Sequence, residues 1–219
     1  MPLLLPEQAE PSTPAAGKMI AYIDQTGTPR LRLKDDAGVV VTQVDDKSRI
    51  WNSSVANQTG FAADTYLIGS SIAIPAGRLP VAKALYTLRF DMVKTAAGTA
   101  TPILIIRFGT AGTVADTARL TFTFAVGTAA IDTAFVQVFA GFRTVGSGTS
   151  AILNGVATVS HALAATGFTT TGTGGDAIIP LTSSGFDSTV ANSIIGASFN
   201  GGGSFAGTNM VCQSEWQNP

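Results

Sequence analysis

Short segments with a period of two residues dominate the C-terminal three quarters of the sequence, and this pattern constrains the fold more than any other feature. Residues 117–126 show it most clearly, because apolar side chains there alternate with Arg119, Thr121 and Thr123. A period of two places alternate side chains on opposite faces of a β-strand. Residues 84–93 alternate in the same way. Both segments are therefore predicted to be strands with one face in a core and one polar face.

Two further segments, residues 101–108 and 134–142, are apolar on both faces over most of their length. Such strands are typical of the centre of a sheet that is covered on both sides, although short apolar runs also occur in helices. The length of these segments, their β-branched residues and their flanking glycines favour strands. Because the second face also needs a cover, we predict that it packs against a partner subunit, with Ile105 and Phe139 in the contact.

The rest of this region repeats the same design of short strands separated by loops rich in Gly and Thr. With no convincing helical period, this favours an all-β fold, and specifically a jelly-roll-like β-sandwich over residues 62–219. The additional strands are expected at residues 66–74, 150–163, 176–182, 192–199 and 208–216.

The N-terminal segment, residues 1–17, contains four prolines. Proline fixes φ and removes a backbone donor, so an extended arm is predicted. Leu3, Leu4 and Leu5 near the tip of this arm are apolar and need a surface that buries them. They are the predicted partner-binding residues of the chain. The alternative for this segment is a disordered tail.

Residues 18–46 contain three short β-prone runs separated by turn residues, and they predict a small three-stranded β-meander. Three strands alone are barely stable, so the meander is expected to lean on a neighbour or on its own copies. Residues 47–61 show no clear period and are interpreted as a linker. Within this linker, Trp51 is predicted to pack against an adjacent chain or domain.

Charged residues make up 12% of the chain and hydrophobic residues 45%, whereas soluble proteins carry about 25% charged residues. Either much of the surface is buried against partners, or small neutral side chains cover it. The formal net charge is −1, which provides no basic field for phosphate groups. Binding to nucleic acid is therefore not expected as the main task.

The N-terminal residues lack the basic and apolar regions of a signal peptide, and no segment reaches the roughly 18 apolar residues of a membrane span. We expect a chain that is made in the cytoplasm and does not enter a membrane. Cys212 is the single cysteine, so no internal disulfide forms. It is expected to be a small buried apolar residue.

A catalytic or metal site is not predicted. His161 is the single histidine, so any mechanism that needs an imidazole would depend on it alone. The composition excludes the usual zinc sites, and the pairs Asp35-Asp36 and Asp45-Asp46 lack the ligand spacing of a calcium loop. Two carboxylates could act as a pair, but nothing in the sequence brings two together. The carboxylates of the strand-rich domain are Asp64, Asp91, Asp116, Asp132, Asp176, Asp187 and Glu215.

Several phrases of the sequence resemble the jelly-roll domains of tailed-bacteriophage virion proteins. Such domains occur in capsid decoration proteins, head fibres and tail fibres. Residues 21–41 are similar to the short β segments near the N termini of phage decoration and fibre proteins. The phrases that resemble the jelly-roll domains are residues 73–77, 88–102, 107–122, 144–155 and 185–204.

This resemblance implies a homotrimeric structural protein on the exterior of a virion, foremost a capsid decoration (cement) or head-fibre protein. The N-terminal arm would dock on the major capsid protein or on an adaptor. It implies no enzymatic activity and no cofactor.

Two alternatives remain at this point. One is a tail fibre or receptor-binding protein that recognises a host surface glycan. The other is an enzyme such as a depolymerase, with carboxylates of different subunits meeting at an interface. Glycan recognition needs exposed aromatic rings beside the distal loops, and the candidates are Phe168, Phe186, Phe199 and Phe205; the alternative is that these rings fill the sandwich.

Overall fold

The computed structural model describes residues 7–18, 20–24, 30–34, 36–38, 40–42, 49–74, 80–95, 97–163, 165–170, 176–209 and 211–217. The regular elements among these residues are all β-strands, which confirms the predicted fold class. The chain divides into two compact units, residues 1–47 and 48–219.

The first unit is a sheet of four short strands: β1 (Glu7–Gln8), β2 (Ile20–Asp24), β3 (Arg30–Lys34) and β4 (Val40–Thr42). Strands β2, β3 and β4 pair antiparallel in chain order, which is the predicted meander. Strand β1 adds to β2 in parallel. A segment expected to form part of an extended arm thus supplies a fourth strand.

The described part of that arm, residues 7–17, is held along the meander. The Lys34 ammonium donates hydrogen bonds to the Glu10 carboxylate (2.7 Å) and to the Pro11 carbonyl oxygen (2.8 Å). These contacts and the pairing of β1 make residues 7–17 part of the first unit. The predicted anchoring residues Leu3, Leu4 and Leu5 lie outside the described residues.

The second unit consists of a five-stranded and an eight-stranded sheet, and the strand pairs of both are antiparallel. The five-stranded sheet contains β7 (Thr65–Tyr66), β8 (Ile72–Ala73), β10 (Ile103–Gly109), β11 (Thr117–Thr123) and β15 (Ile194–Asn200). The eight-stranded sheet contains β5 (Arg49–Ser53), β6 (Gln58–Gly60), β9 (Leu85–Lys94), β12 (Asp132–Thr144), β13 (Ile152–His161), β14 (Asp176–Thr182), β16 (Gly207–Asn209) and β17 (Cys212–Gln217).

One hydrophobic core joins the two sheets. The rings of Phe142 in β12 and Phe108 in β10 lie with centroids 5.8 Å apart, and Phe90 in β9 meets Phe199 in β15 at 6.1 Å. Side chains from facing sheets that interdigitate in this way define a β-sandwich. The predicted sandwich is confirmed. In β12 the residues on the core side are Asp132, Ala134, Val136, Val138, Ala140 and Phe142.

The segment predicted as a single strand at residues 66–74 is divided into β7 and β8, both of which pair with β15. Gly69 lies between them with φ +89°, and a Cβ atom at this position would lie 2.2 Å from the Ser54 backbone nitrogen. Only glycine allows this turn and this close approach. The segment predicted at residues 208–216 is likewise divided, into β16 and β17.

The predicted linker, residues 47–61, differs most from the structure, because it supplies strands β5 and β6 to the eight-stranded sheet. Strand β5 pairs with β17 near the C terminus, and Trp51 lies opposite Glu215. The local sequence is polar, so a period search does not distinguish it from a loop. Its partner strand lies at the other end of the chain and is invisible to local analysis.

Isoleucines inside and outside the core provide a stability test of the sandwich. Ile195 in β15 is fully buried and Ile131 is exposed. We expect Ile195→Ala to lower the free energy of unfolding by about 2–5 kcal/mol, because it leaves a cavity in the core. Ile131→Ala should change it by no more than about 0.5 kcal/mol. Denaturant unfolding of both variants measures this, and equal losses would contradict the assigned core.

Candidate functional site

The outer face of the eight-stranded sheet carries exposed apolar side chains on three neighbouring strands. Phe135 and Phe139 on β12 are 43% and 40% exposed, and Ile178 on β14 is 68% exposed. Between them Phe139 lies opposite Val156 on β13, and Val156 lies opposite Pro180 on β14. We call Phe135, Phe139, Val156, Ile178 and Pro180 the outer stripe.

The outer stripe ends at β12. Across the sheet from Phe139, the next residues in the same row are Thr87 on β9, Glu215 on β17 and Trp51 on β5. Thr87 is a small buried side chain, and Glu215 carries a charge at the surface. A polar strip thus separates Trp51 from the apolar half of this face.

Trp51 is 64% exposed, and a guanidinium group lies beside its indole ring. The Arg49 Cζ atom is 5.4 Å from the ring centroid, and its Nε and Nη2 donate to Glu215 Oε1 at 2.8 and 2.5 Å. Burial raises the pKa of Glu215, but hydrogen bonds from Gln217 and Arg49 and the charges of Arg49 and Arg89 outweigh it and hold the pKa below its ordinary value. The ionised carboxylate therefore keeps Arg49 at the indole, where a cation–π contact forms.

A surface groove of about 400 Å³ borders Trp51. We call it the Trp51 groove; Trp51, Asn52, Ser53, Val55 and Gln213 line it. A smaller depression on the β9 side of the indole is lined in part by Thr87 and Arg89. Aromatic, amide, hydroxyl and guanidinium groups therefore surround one exposed ring.

Three ionisable side chains form a buried cluster at one end of the sandwich: Lys94, Asp132 and His161. Asp132 lies opposite Lys94 in the register of β12 with β9. Asp132 Oδ2 is 2.7 Å from His161 Nδ1 and accepts a hydrogen bond from the Phe168 backbone N–H at 2.8 Å. Asp132 Oδ1 accepts a further bond from the Leu163 N–H at 3.2 Å. The carboxylate thus binds the loop that follows β13.

Lys94 completes the cluster from the other side. Its ammonium donates to the backbone carbonyls of Thr128 and Gly167, so it holds two loops together. Burial lowers the pKa of Lys94, and the charge of Asp132 opposes this effect. A Cβ atom at Gly167, whose φ is +84°, would lie 2.3 Å from Asp132 Oδ2, so the loop approaches the carboxylate at a glycine.

The buried cluster of Lys94, Asp132 and His161 has a structural role. The side chains of Asp132 and His161 are fully inaccessible, and no substrate reaches them in this arrangement. Among the described residues, no group of three or more His, Cys, Asp or Glu side chains is placed to hold a metal ion. The described part of the chain also contains no helix long and apolar enough to cross a membrane.

The three residues predicted at subunit contacts lie on two faces. Trp51 and Phe139 share the outer face of the eight-stranded sheet. Ile105 on β10 lies on the outer face of the five-stranded sheet, between Thr121 and Ser198 in the register, and is half-buried. Their packing against another subunit stays a prediction.

The candidate glycan-binding phenylalanines are buried and fill the sandwich, so they are not available to a glycan. The rings of Phe168 and Phe205 both pack on Phe199, at 5.7 and 5.8 Å between centroids, and Phe186 packs on Phe108 at 5.4 Å. Phe199 lies in β15, and the segments that carry the other three rings fold back over the core. Burial of each large ring stabilises the core, so the folded protein keeps these rings in its interior.

Cys212 is buried, as predicted, and burial raises the pKa of its thiol to about 12, with the charge of Asp91 adding to the effect. The strand patterns alone did not single out Lys94, Phe135 or Ile178 as functional. The alternation of residues 132–144 would have placed Phe135 with Phe139. The alternation of β9 places Lys94 on the core face with Phe90 and Met92, but nothing local indicates its partners, which lie on distant loops.

Comparisons with known proteins add little to this description. No family model matches the sequence, and no curated protein matches it. Among solved structures, it is similar to a chain in the structure of infectious bursal disease virus, Gx strain, with 11% identity and a TM-score of 0.21. The match covers 83% of this chain and 45% of that chain. The chain thus spans less than half the length of that protein, and a TM-score of this size carries no inference.

The buried cluster predicts a large effect for Asp132→Asn. The substitution removes the charge that compensates Lys94, and loss of one partner of a buried pair costs about 3–5 kcal/mol. Asp187→Asn is the control, because the Asp187 carboxylate bonds to Thr189 and to the Gly148 backbone in surface turns and compensates no buried charge. Thermal unfolding should show a much lower midpoint for Asp132→Asn and a nearly unchanged one for Asp187→Asn. Equal midpoints would disprove the structural role.

Proposed function

We propose that the chain is a non-enzymatic structural component of a virus particle, and that it assembles with copies of itself through the outer stripe. The observation that carries the proposal is the set of exposed apolar side chains on β12, β13 and β14. Phe135, Phe139 and Ile178 are each at least 40% exposed. With side-chain areas of roughly 200 Å², they leave about 300 Å² of apolar surface in water. Patches of this size on a monomer are often functional.

The low net charge of the chain favours a second copy of the same chain as the partner that covers the outer stripe. A net charge far from zero keeps proteins apart, whereas this chain carries −1 with only 12% charged residues. Like copies therefore repel each other weakly. The outer stripe itself contains no charged residue, and Asp91, opposite Phe135, borders it on the β9 side.

A trimer is the assembly that the sequence resemblance favours. The outer stripe and Ile105 lie on the two outer faces of the sandwich, which point in opposite directions. Contacts between oppositely directed faces build open stacks, whereas a closed ring needs contact surfaces that are inclined to each other. We propose the outer stripe as one side of the trimer contact, and the contribution of Ile105 stays a prediction.

The position on a virion rests on the sequence resemblance to phage decoration and fibre proteins. We propose a capsid decoration or head-fibre role on the exterior of the particle, with synthesis in the host cytoplasm. Leu3, Leu4 and Leu5 would bury apolar surface on the major capsid protein or another virion protein. Several such weak contacts per trimer combine into tight attachment through effective concentration. A tail-fibre location is the alternative.

A non-enzymatic role is supported by the described carboxylates. Asp132 is enclosed with His161 and Lys94, and Asp116 accepts bonds from the backbone N–H groups of Ala111 and Gly112. Each of these carboxylates has a structural task. Two carboxylates facing one cleft, as glycoside hydrolysis needs, are not found among the described residues.

The outer stripe predicts that Phe139→Asp weakens self-association. The side chain contributes roughly 80 Å² to the contact, worth about 2 kcal/mol, and a charge would add a desolvation cost. The dissociation constant should therefore rise more than about tenfold. Light scattering after size exclusion, over a range of concentrations, measures the mass. Wild type should have the mass of three chains, and the variant that of one at the same concentration.

Val190→Asp is the matched control for this test. Val190 is exposed to a similar degree as Phe139, 42% against 40%, but it lies in the loop before β15. This variant should keep the wild-type mass, and circular dichroism should show both variants folded. A monomeric wild type, or a trimeric Phe139→Asp variant, would refute assembly through the outer stripe.

The N-terminal anchor is tested separately from self-association. Replacing Leu3, Leu4 and Leu5 together by Ser should abolish co-sedimentation with virions, because the apolar surface is lost, while the trimer mass is unchanged. Replacing the same residues by Ile keeps the apolar surface and should preserve attachment. Residues 7–17 are left intact because they contact the meander. Attachment of the Ser variant at wild-type level would exclude these leucines as the anchor.

Electron cryomicroscopy of the particles locates the protein. Trimeric density on the capsid lattice is expected, and the Ser variant should lack it. Density at the tail would overturn the capsid assignment and favour the fibre alternative. Absence of the protein from purified particles would refute the virion role altogether.

A further inference from the structure

The Trp51 groove combines an exposed aromatic ring with the side chains of Ser53 and Gln213, which make no hydrogen bond to any of the described residues. Trp51 is 64% exposed, whereas Trp216 is almost completely buried. A large aromatic ring normally contributes most when it is covered. Arg49 lies at 5.4 Å from the ring centroid, and the groove of about 400 Å³ is open beside the ring.

Three polar side chains form a row across this part of the sheet. Ser53 lies opposite Gln213, and Gln213 lies opposite Arg89, on β5, β17 and β9. Within the described part of the chain, neither the Ser53 hydroxyl, the Gln213 amide nor the Arg89 guanidinium makes a hydrogen bond. Neighbouring strands are about 4.8 Å apart, so these donors and acceptors are spaced on the scale of a single sugar ring.

The charges around the groove favour a neutral ligand. Arg49 is neutralised by Glu215 at 2.5 Å, and the charge of Glu215 also lies close to Arg89. An anionic ligand would meet the Glu215 carboxylate, and a cationic ligand would meet two guanidinium groups. A polyhydroxylated neutral molecule meets neither obstacle, because it needs only a flat apolar contact and several hydrogen bonds.

We propose that the Trp51 groove binds one or two rings of a neutral saccharide. The apolar C–H face of a pyranose ring stacks on the indole of Trp51, and its hydroxyl groups exchange hydrogen bonds with Ser53, Gln213 and Arg89. The groove volume lies within the range of about 300–1,000 Å³ typical of small-molecule sites. In the row of Trp51, Thr87 and Glu215 lie between the groove and the outer stripe, whereas Arg89 lies opposite Gln137, the outward residue between Phe135 and Phe139 on β12. The Trp51 ring itself therefore lies outside the surface proposed for assembly.

The experiment uses the full chain and a panel of neutral methyl glycosides of glucose, galactose, mannose and N-acetylglucosamine. Saturation-transfer NMR should detect at least one of them, with a dissociation constant on the order of 1 mM for a single ring. Trp51→Ala should weaken binding at least about tenfold, and Trp51→Tyr should restore part of it, since a tyrosine ring also offers a flat stacking face. Gln213→Ala should weaken binding less than Trp51→Ala does.

Ile131→Ala is the matched control, because Ile131 is 67% exposed, much like Trp51 at 64%, but lies outside both the groove and the outer stripe. It should bind the glycosides as the wild type does. Trp51→Ala should keep the oligomeric mass and the unfolding midpoint of the wild type. No saturation transfer from any glycoside, or unchanged binding by Trp51→Ala, would overturn the proposal. Dissociation of the oligomer by Trp51→Ala would also overturn it and would instead favour the predicted subunit contact of Trp51.

Discussion

Strand β9 is hydrogen-bonded along both of its edges, and the sandwich depends on these pairings. Strand β12 pairs with it along its whole length, while β17 and β16 share its other edge. Through β17 and β16, strand β9 brings in β5 and β6 from the N-terminal side of the unit. The pairing of segments from the beginning, middle and end of the unit fixes which residues face the core and which face outward. The outer stripe and the Trp51 groove both exist because this register is kept across six strands.

The buried charges at one end of the sandwich stabilise the same arrangement of strands. Lys94 ends β9 and Asp132 begins β12, and the two residues lie opposite each other at the end of this strand pair. Charges that leave water are tolerated only where each has a partner. Here the partners are His161 and the backbone of the two loops that cover the end of the core. The loops are thus held in place by hydrogen bonds to Asp132 and Lys94, and their phenylalanines fill the core.

The outer face of the eight-stranded sheet is divided into two regions with different chemistry. On β12 to β14 the outer stripe presents apolar side chains among polar ones such as Gln137, Asn154 and Ser160, which suits a protein contact. On β5, β17 and β9 one indole is surrounded by amide, hydroxyl and guanidinium groups, which suits a small polar ligand with an apolar face. A protein that assembles through one half of a sheet leaves the other half exposed to solvent. Assembly and saccharide binding are therefore compatible on a single face.

The sequence by itself determined the all-β class, the core strands and the small meander, because period-2 alternation is a local property that each strand carries alone. It also placed Phe139 on an outward face and Cys212 in the interior. Only the tertiary structure decided that residues 49–60 are strands, since β5 is identified by its pairing with β17 at the opposite end of the chain. The same holds for Phe168, Phe186 and Phe205, whose segments fold back so that the rings pack in the core beside Phe199 of β15. Pairing and burial between distant segments are set by register and packing, and these have no local signature in the sequence.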